Sequence, residues 1–253
     1  MTAIYLPSSY KLIWNYFSNC KRTLRIACFI SSHGYGHATR CLAILDALSQ
    51  KFQPLEISIF SSLPNSFLEQ NLNSSKFTSH NTKTDIGLIQ KTPFEHDLTQ
   101  TVLEWDQFLN FKSSENQKIT ESVKEINPDF ILCDISPLGI KLGKRLKIPT
   151  VLIENFTWDW IYQTYVDAEP KFLPIIENLK EIFSYPDLRI QTNPICERLS
   201  DYPLVNPIFR MPRGSISETK RKMGINENDQ VILVTTGGIS QDFQFIQKLE
   251  QFP

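Results

Sequence analysis

Apolar residues arrive along this chain in short blocks, and the blocks differ in period. The run Leu24-Arg-Ile-Ala-Cys-Phe-Ile30 is nearly continuous, which predicts a strand buried on both faces. Similar runs predict strands at 55–60, 128–134, 149–153 and 188–191. Between them Leu98, Val102, Trp105 and Leu109 recur at helical spacing, as do Ile119, Val123 and Ile126, and this stripe reads as core. Helices are also expected at 41–48, 65–71, 137–146 and 172–183. The stretch 76–93 predicts one or two short strands, the stronger being Thr84-Asp-Ile-Gly-Leu-Ile89. Strands and helices in alternation define an α/β chain with a parallel sheet covered on both faces. Ligands of such sheets sit at the carboxyl ends of the strands. Three distinctive loops share that edge: 33–40, 134–136 and 155–159.

The pattern changes after residue 205. Asn206-Pro-Ile-Phe-Arg-Met-Pro-Arg-Gly214 reads as a linker, and a short charged helix is expected at 217–223, stopped by Gly224. Its capping box, counted from Ser217, is incomplete because Lys220 stands where the acid belongs. Asp229-Gln-Val-Ile-Leu-Val-Thr-Thr-Gly-Gly238 reads as a fresh first strand and Gly-rich turn, with a helix at 242–251. The expected division is an extension at 1–23, a first α/β domain at 24–205, a linker at 206–228, and at 229–253 the start of a second Rossmann-like domain. Residues 1–23, with Tyr10-Lys-Leu-Ile-Trp-Asn-Tyr-Phe17, are too interrupted for a signal peptide and read as a peripheral helix.

Composition narrows the partners. Apolar residues make up 41% of 253 and charged residues 21%, with a net charge of −1, so no global basic field draws the chain to nucleic acid. No apolar run approaches the ~20 residues of a membrane span. The five cysteines show no C-x-x-C spacing, and Cys28 and Cys133 fall inside strands as small hydrophobes. The expected location is a reducing cytoplasm, with peripheral contact to a membrane as the variant that residues 1–23 allow.

The first strand leads into Ser31-Ser-His-Gly-Tyr-Gly-His-Ala-Thr-Arg40. A Gly-rich turn opening a helix aims backbone N–H groups at one point and seats anions. A dinucleotide fingerprint is excluded, because Thr39 holds its third glycine position and the second strand ends in Ser61-Ser62 rather than an acid. A Walker loop lacks its Gly-Lys-Ser/Thr. Zinc on His33 and His37 lacks the intervening Glu, replaced by Gly34, so no metal site is expected. Two histidines and an arginine in one turn point instead to proton transfer beside a charged substrate; the plain alternative is that His37 caps the helix and His33 bonds to loop backbone.

The His33-Gly-Tyr-Gly-His-Ala-Thr-Arg40 loop, the Asn155-Phe-Thr-Trp-Asp-Trp-Ile-Tyr162 segment and Arg221-Lys-Met-Gly-Ile225 before Val231 together resemble one family. It is the glycosyltransferase-like domain found at the N-terminus of plant arabinokinase and in bacterial relatives. The resemblance covers about 24–240. More distantly the turn is similar to that of lipid-linked GlcNAc transferases and UDP-sugar hydrolases. The resemblance implies a GT-B glycosyltransferase with two Rossmann-like domains, the first taking a sugar or glycolipid acceptor and the second a nucleotide sugar, UDP-linked, as substrate. No further cofactor is implied. It places His37 as the base, with His33, Gly34, Gly36 and Arg40 around the substrate. A helix N-terminus disfavours a cation, which suits a proton acceptor there. Asp134 then either orients His37 or caps the next helix, and Arg40 pairs with an anion or with a carboxylate. Asn155 and Asp159 would hydrogen-bond sugar hydroxyls, and Trp158 or Trp160 would stack on a sugar face or pack internally. Gly237 and Gly238 would face the donor. The expectation is that only the start of the donor half is present here, and that sugar-kinase activity is not carried over. The expectations are therefore an acceptor half that transfers no sugar alone, and association through the incomplete C-terminal domain. A UDP-sugar hydrolase and a non-catalytic sugar- or nucleotide-binding domain remain the alternatives.

Overall fold

The computed structural model describes residues 22–72, 77–110, 114–212, 214–226 and 228–234. In chain order its elements are β1 (Leu24–Ile30), α1 (Tyr35–Lys51), β2 (Leu55–Ser61), α2 (Asn65–Asn71) and β3 (Phe77–Asn81). A small hairpin, β4 (Gln90–Thr92) and β5 (Glu95–His96), leads to α3 (Leu98–Leu109) and α4 (Ser114–Ile126). Then come β6 (Phe130–Asp134), α5 (Pro137–Leu146), β7 (Thr150–Glu154), α6 (Trp158–Gln163), α7 (Phe172–Phe183), β8 (Leu188–Thr192), β9 (Leu204–Val205) and α8 (Ile216–Lys222).

Seven strands form one parallel sheet in the order β3-β2-β1-β6-β7-β8-β9. Strand alternation divides β1 between two cores. Ala27 and Phe29 face a cluster built with α3 to α7, while Leu24, Ile26, Cys28 and Ile30 face α1 and α2. Burial on both faces explains why the strand reads as a continuous apolar run. Phe29 stacks on Phe60 at 4.4 Å between ring centroids, tying β1 to β2. The chain winds outward from β1 to β2 and β3, then crosses to β6 and winds the other way. The reversal opens a crevice at the carboxyl ends of β1 and β6, the place where doubly wound sheets bind ligands.

Three sequence expectations change. The 84–89 stretch is not a strand. Ile86 and Leu88 still pack into the core, but side chains satisfy the backbone in place of a ladder. Ser136 Oγ donates to the Thr84 carbonyl (3.2 Å), the Tyr162 hydroxyl to the Gly87 carbonyl, and the Ile89 N–H to Thr101 Oγ1 (3.0 Å). The late helix begins one residue earlier than expected, because Ser215 caps it. Its hydroxyl accepts from Glu218 N at 3.1 Å, and Ser215 and Glu218 supply the capping-box spacing that Ser217 and Lys220 lack. Residues 228–234 form no strand, and Val231, Ile232 and Leu233 are exposed. The expected donor turn, with Gly237 and Gly238, lies outside the described residues, as do residues 1–21 of the expected extension. Among the described residues no helix is long and apolar enough to cross a membrane.

Candidate functional site

Helix α1 starts at Tyr35, immediately after Gly34, whose φ of 92° turns the chain from strand into helix. That start puts His33 in the loop, His37 in the first turn, and Arg40 one turn further on the same side. Opposite them β6 ends on Asp134, which is wholly buried. The next residue, Ile135, has φ 45°, an outlier for a β-branched side chain, and strain of this kind costs about 1–3 kcal/mol and collects at functional sites. Asp134 does not cap α5. Ser136 does so, accepting from Gly139 N at 3.2 Å.

Both oxygens of Asp134 are occupied. Arg40 Nε donates to Oδ2 at 2.7 Å and Nη2 to Oδ1 at 2.5 Å, a two-pronged fork, while His37 Nδ1 lies 2.8 Å from Oδ1. The Cys41 thiol approaches Oδ2 at 3.7 Å. Arg40 is therefore engaged with a carboxylate, and its Nη1 donates to Asn155 Oδ1 at 2.8 Å, joining the loop after β7 to the same cluster. Arg40 Nη2 also comes within 3.2 Å of His37 Nδ1, so two groups compete for that nitrogen. The nearer partner is a carboxylate, which accepts; a hydrogen on Nδ1 satisfies it and leaves Nε2 as the acceptor nitrogen of the neutral ring. Burial works against charge on both Arg40 and Asp134, yet each side chain's attraction for the other wins. The Arg40 pKa is raised and that of Asp134 is held below the usual carboxylate range, with His37 adding to the latter.

A cavity of about 280 Å³ opens beside this cluster, lined by residues that include Gly36, His37, Arg40, Asn155, Phe156 and Asn193. His33 and Trp158 lie away from it. Trp158 is 1% exposed, with His33 edge-on at 5.1 Å, Phe156 edge-on at 5.4 Å and Tyr162 stacked at 5.8 Å. Its faces are taken by neighbours, so the stacking on a sugar expected of it is corrected to internal packing. His33 sits in the same aromatic nest. Asp159 stands in the first turn of α6, with Oδ1 buried and lacking a hydrogen-bond partner among the described residues. Among the described residues no group of three or more His, Cys, Asp or Glu is arranged to hold a metal ion.

Sequence reasoning missed Asp85, which is 4% exposed and accepts from Trp158 Nε1 at 2.8 Å. Burial raises its pKa, while hydrogen bonds from Ser31 and Trp158 oppose the rise. The one available signal was an acid inside an apolar stretch, and the strand assignment of 84–89 concealed it.

Two consequences are measurable. Burial, followed by the charges of His37 and His96, pushes the His33 pKa down to about 4. The unfolded chain binds a proton at His33 below about 6.5 and the folded chain does not. His33 therefore removes stability as pH falls from about 6.5 to about 4, by up to ~1.4 kcal/mol per unit, and nothing further below that. In melting curves over this range the stability of wild type minus that of His33→Gln should fall as pH drops; parallel curves would remove His33 from the acid response. Gly87 takes φ 66°, and a Cβ there would meet His33 Nδ1 at 2.5 Å. Gly87→Ala should lower unfolding free energy by about 1–3 kcal/mol and shift the His33 ring resonances.

The order of strands defines a Rossmann-like α/β unit, with this cluster at the switch point. No protein-family model matches the chain. L-arabinokinase of Arabidopsis thaliana is 23% identical over 231 residues, which is 87% of this chain and 22% of that protein. This chain is similar to L-arabinokinase over most of its own length, and spans only that 22% of the relative. Among solved structures, MurG of Acinetobacter baumannii aligns over 75% of this chain and 47% of its own, with 12% identity and a TM-score of 0.42. A UDP-glucosyltransferase of Polygonum tinctorium aligns over 80% and 56%, with 11% identity and a TM-score of 0.48. The chain thus spans about half the length of each of these.

Proposed function

We propose that this chain forms the acceptor-binding half of a GT-B-type sugar transferase that uses a nucleotide-sugar donor. The observation that carries the reading is the His37 Nδ1 to Asp134 Oδ1 contact, 2.8 Å long, at the switch-point crevice beside a cavity. Asp134 holds the imidazole by Nδ1, so Nε2 is free to take the proton of an acceptor hydroxyl. As that proton transfers, the buried carboxylate stabilises the imidazolium that forms. The oxygen then attacks the anomeric carbon of the donor sugar, and the bond to the nucleoside diphosphate breaks. The donor, UDP-linked, is held by a second unit that follows the linker, where Gly237 and Gly238 are the proposed phosphate-facing turn. Asn155 and Asp159 are the proposed partners of acceptor hydroxyls. The name of the distant relative supports sugar chemistry, but the shared segment is a small part of that protein, and its kinase activity is not carried over.

The test is a product assay on the natural full-length polypeptide that carries this sequence, with UDP-sugars and neutral sugar acceptors. Glycoside and UDP forming in equal amounts support the reading. UDP and free sugar without glycoside would make the protein a hydrolase, and binding without any turnover would make the unit a non-catalytic one.

A further inference from the structure

We infer that the cavity beside His37 takes a single uncharged sugar residue rather than a phosphorylated or otherwise anionic ligand. This rests on the proposed reading for the role of His37 and adds the size and charge of what is held there. It also departs from the first expectation of the loop, which was a charged substrate.

Size is the first argument. At about 280 Å³ the cavity lies at the small end of ligand sites, which run from about 300 to 1,000 Å³. One pyranose or furanose ring fits such a space, and a nucleoside diphosphate does not.

Charge is the second. Arg40 is the permanent cation among the residues that line the cavity, and its fork is already closed on Asp134. Two more carboxylates lie buried near this edge. Glu154 accepts from Arg189 Nε (3.0 Å) and Gln191 Nε2 (2.8 Å), so it consumes its own cation. Asp85 accepts from Trp158 and adds no positive charge to the wall. Among the described residues that line the cavity an entering phosphate would meet no uncompensated permanent cation, and burying an unpaired charge is costly. The loop before α1 offers little to an anion. His33 N–H is spent on Ser31 Oγ (3.2 Å), and Gly34 N–H on the Ser32 carbonyl (2.9 Å). The first turn of α1 has no side-chain cap, so its N–H groups near Gly36 are donors for a ligand oxygen; the helix dipole there favours negative charge, but its roughly half charge is well short of what neutralises a phosphate.

The remaining lining chemistry is mixed in polarity. Because Arg40 holds Asn155 Oδ1, the Nδ2 group of that amide is left as a donor. Thr192 Oγ1 donates to the Asn206 carbonyl at 3.2 Å, so its lone pairs remain for an acceptor role. Phe156, Pro194 and Ile208 supply an apolar wall for the C–H face of a ring. Donors, acceptors and an apolar face in one small space match a neutral polyol.

The experiment is a titration of the full chain, read by the ring resonances of His37, with D-glucose, D-galactose, their methyl glycosides, their 1-phosphates and inorganic phosphate. Neutral sugars should bind in the millimolar range, and each 1-phosphate at least ~10-fold more weakly. Equal binding of the methyl glycosides assigns the site to the terminal residue of a larger glycoside, and preference for the free sugars to a monosaccharide; both support the inference. Tighter binding of any phosphate, or no response of His37 to any neutral sugar, overturns it. In Asp134→Asn the Arg40 charge is released, and phosphate affinity should gain ~10-fold relative to the neutral parent; an unchanged ranking in the folded variant overturns the charge argument. Where that variant fails to fold, the wild-type titration decides. A protein that binds neutral sugars yet transfers none keeps this inference and loses the transferase reading, whereas transfer to a sugar phosphate does the reverse.

Discussion

Asp134→Ala is expected to lower the free energy of unfolding by about 3–5 kcal/mol, a large part of the ~5–15 kcal/mol that holds a domain together. The loss comes from what remains behind. Arg40 is only 8% exposed, and without Asp134 its guanidinium keeps a single strong acceptor, Asn155 Oδ1. An uncompensated buried cation costs more than the pair contributes. The pairing itself is therefore not the source of stability, and a double variant shows it. Asp134→Leu with Arg40→Met removes both charges and should recover most of the loss. Urea unfolding of wild type, single and double variants measures the three values. A single variant within about 0.5 kcal/mol of wild type would contradict the burial on which the cluster depends.

His37→Gln should lower kcat of the full-length protein by ~10²-fold or more, with a much smaller effect on stability. Glutamine can still place an amide N–H against Asp134, but it has no basic lone pair. The split matters, because a packing defect would appear in urea unfolding and a lost base would not. Unchanged turnover would remove His37 from the mechanism. Turnover lost together with several kcal/mol of stability would reassign it to structure.

Elements with strong local patterns were legible from sequence. The helix at Pro137–Leu146 and the helix at Phe172–Phe183 match their apolar periods to the residue, and β1 does the same. What failed locally failed where side chains from remote segments settle the outcome. Residues 84–89 look like a strand because their apolar side chains point inward. Whether the backbone joins a ladder depends on Ser136, Tyr162 and Thr101, which are distant in sequence. Trp158 beside Asp159 reads equally as a sugar platform or as core, and the choice is made by Asp85, His33 and Tyr162 around it. The candidate site divides the same way. Its residue types and its edge of the sheet follow from the order of strands. The engagement of Arg40 with Asp134 needed the register of β1 against β6, which pairs Ile30 with Asp134 and sets the carboxylate facing α1. The backbone outlier at Ile135 has no sequence signature at all, since isoleucine is among the residues least suited to it.

Pro207 and Ile208, just after β9, stand in the wall of the cavity, and the Asn206 carbonyl before them is anchored to Thr192. A ligand resting against that wall and the chain continuing beyond it thus share one surface. If a bound ligand favours one position of this segment, reciprocity requires that whatever favours that position raises affinity for the ligand by the same factor. Such a coupling would be measurable from either end, by ligand affinity or by the position of the segment.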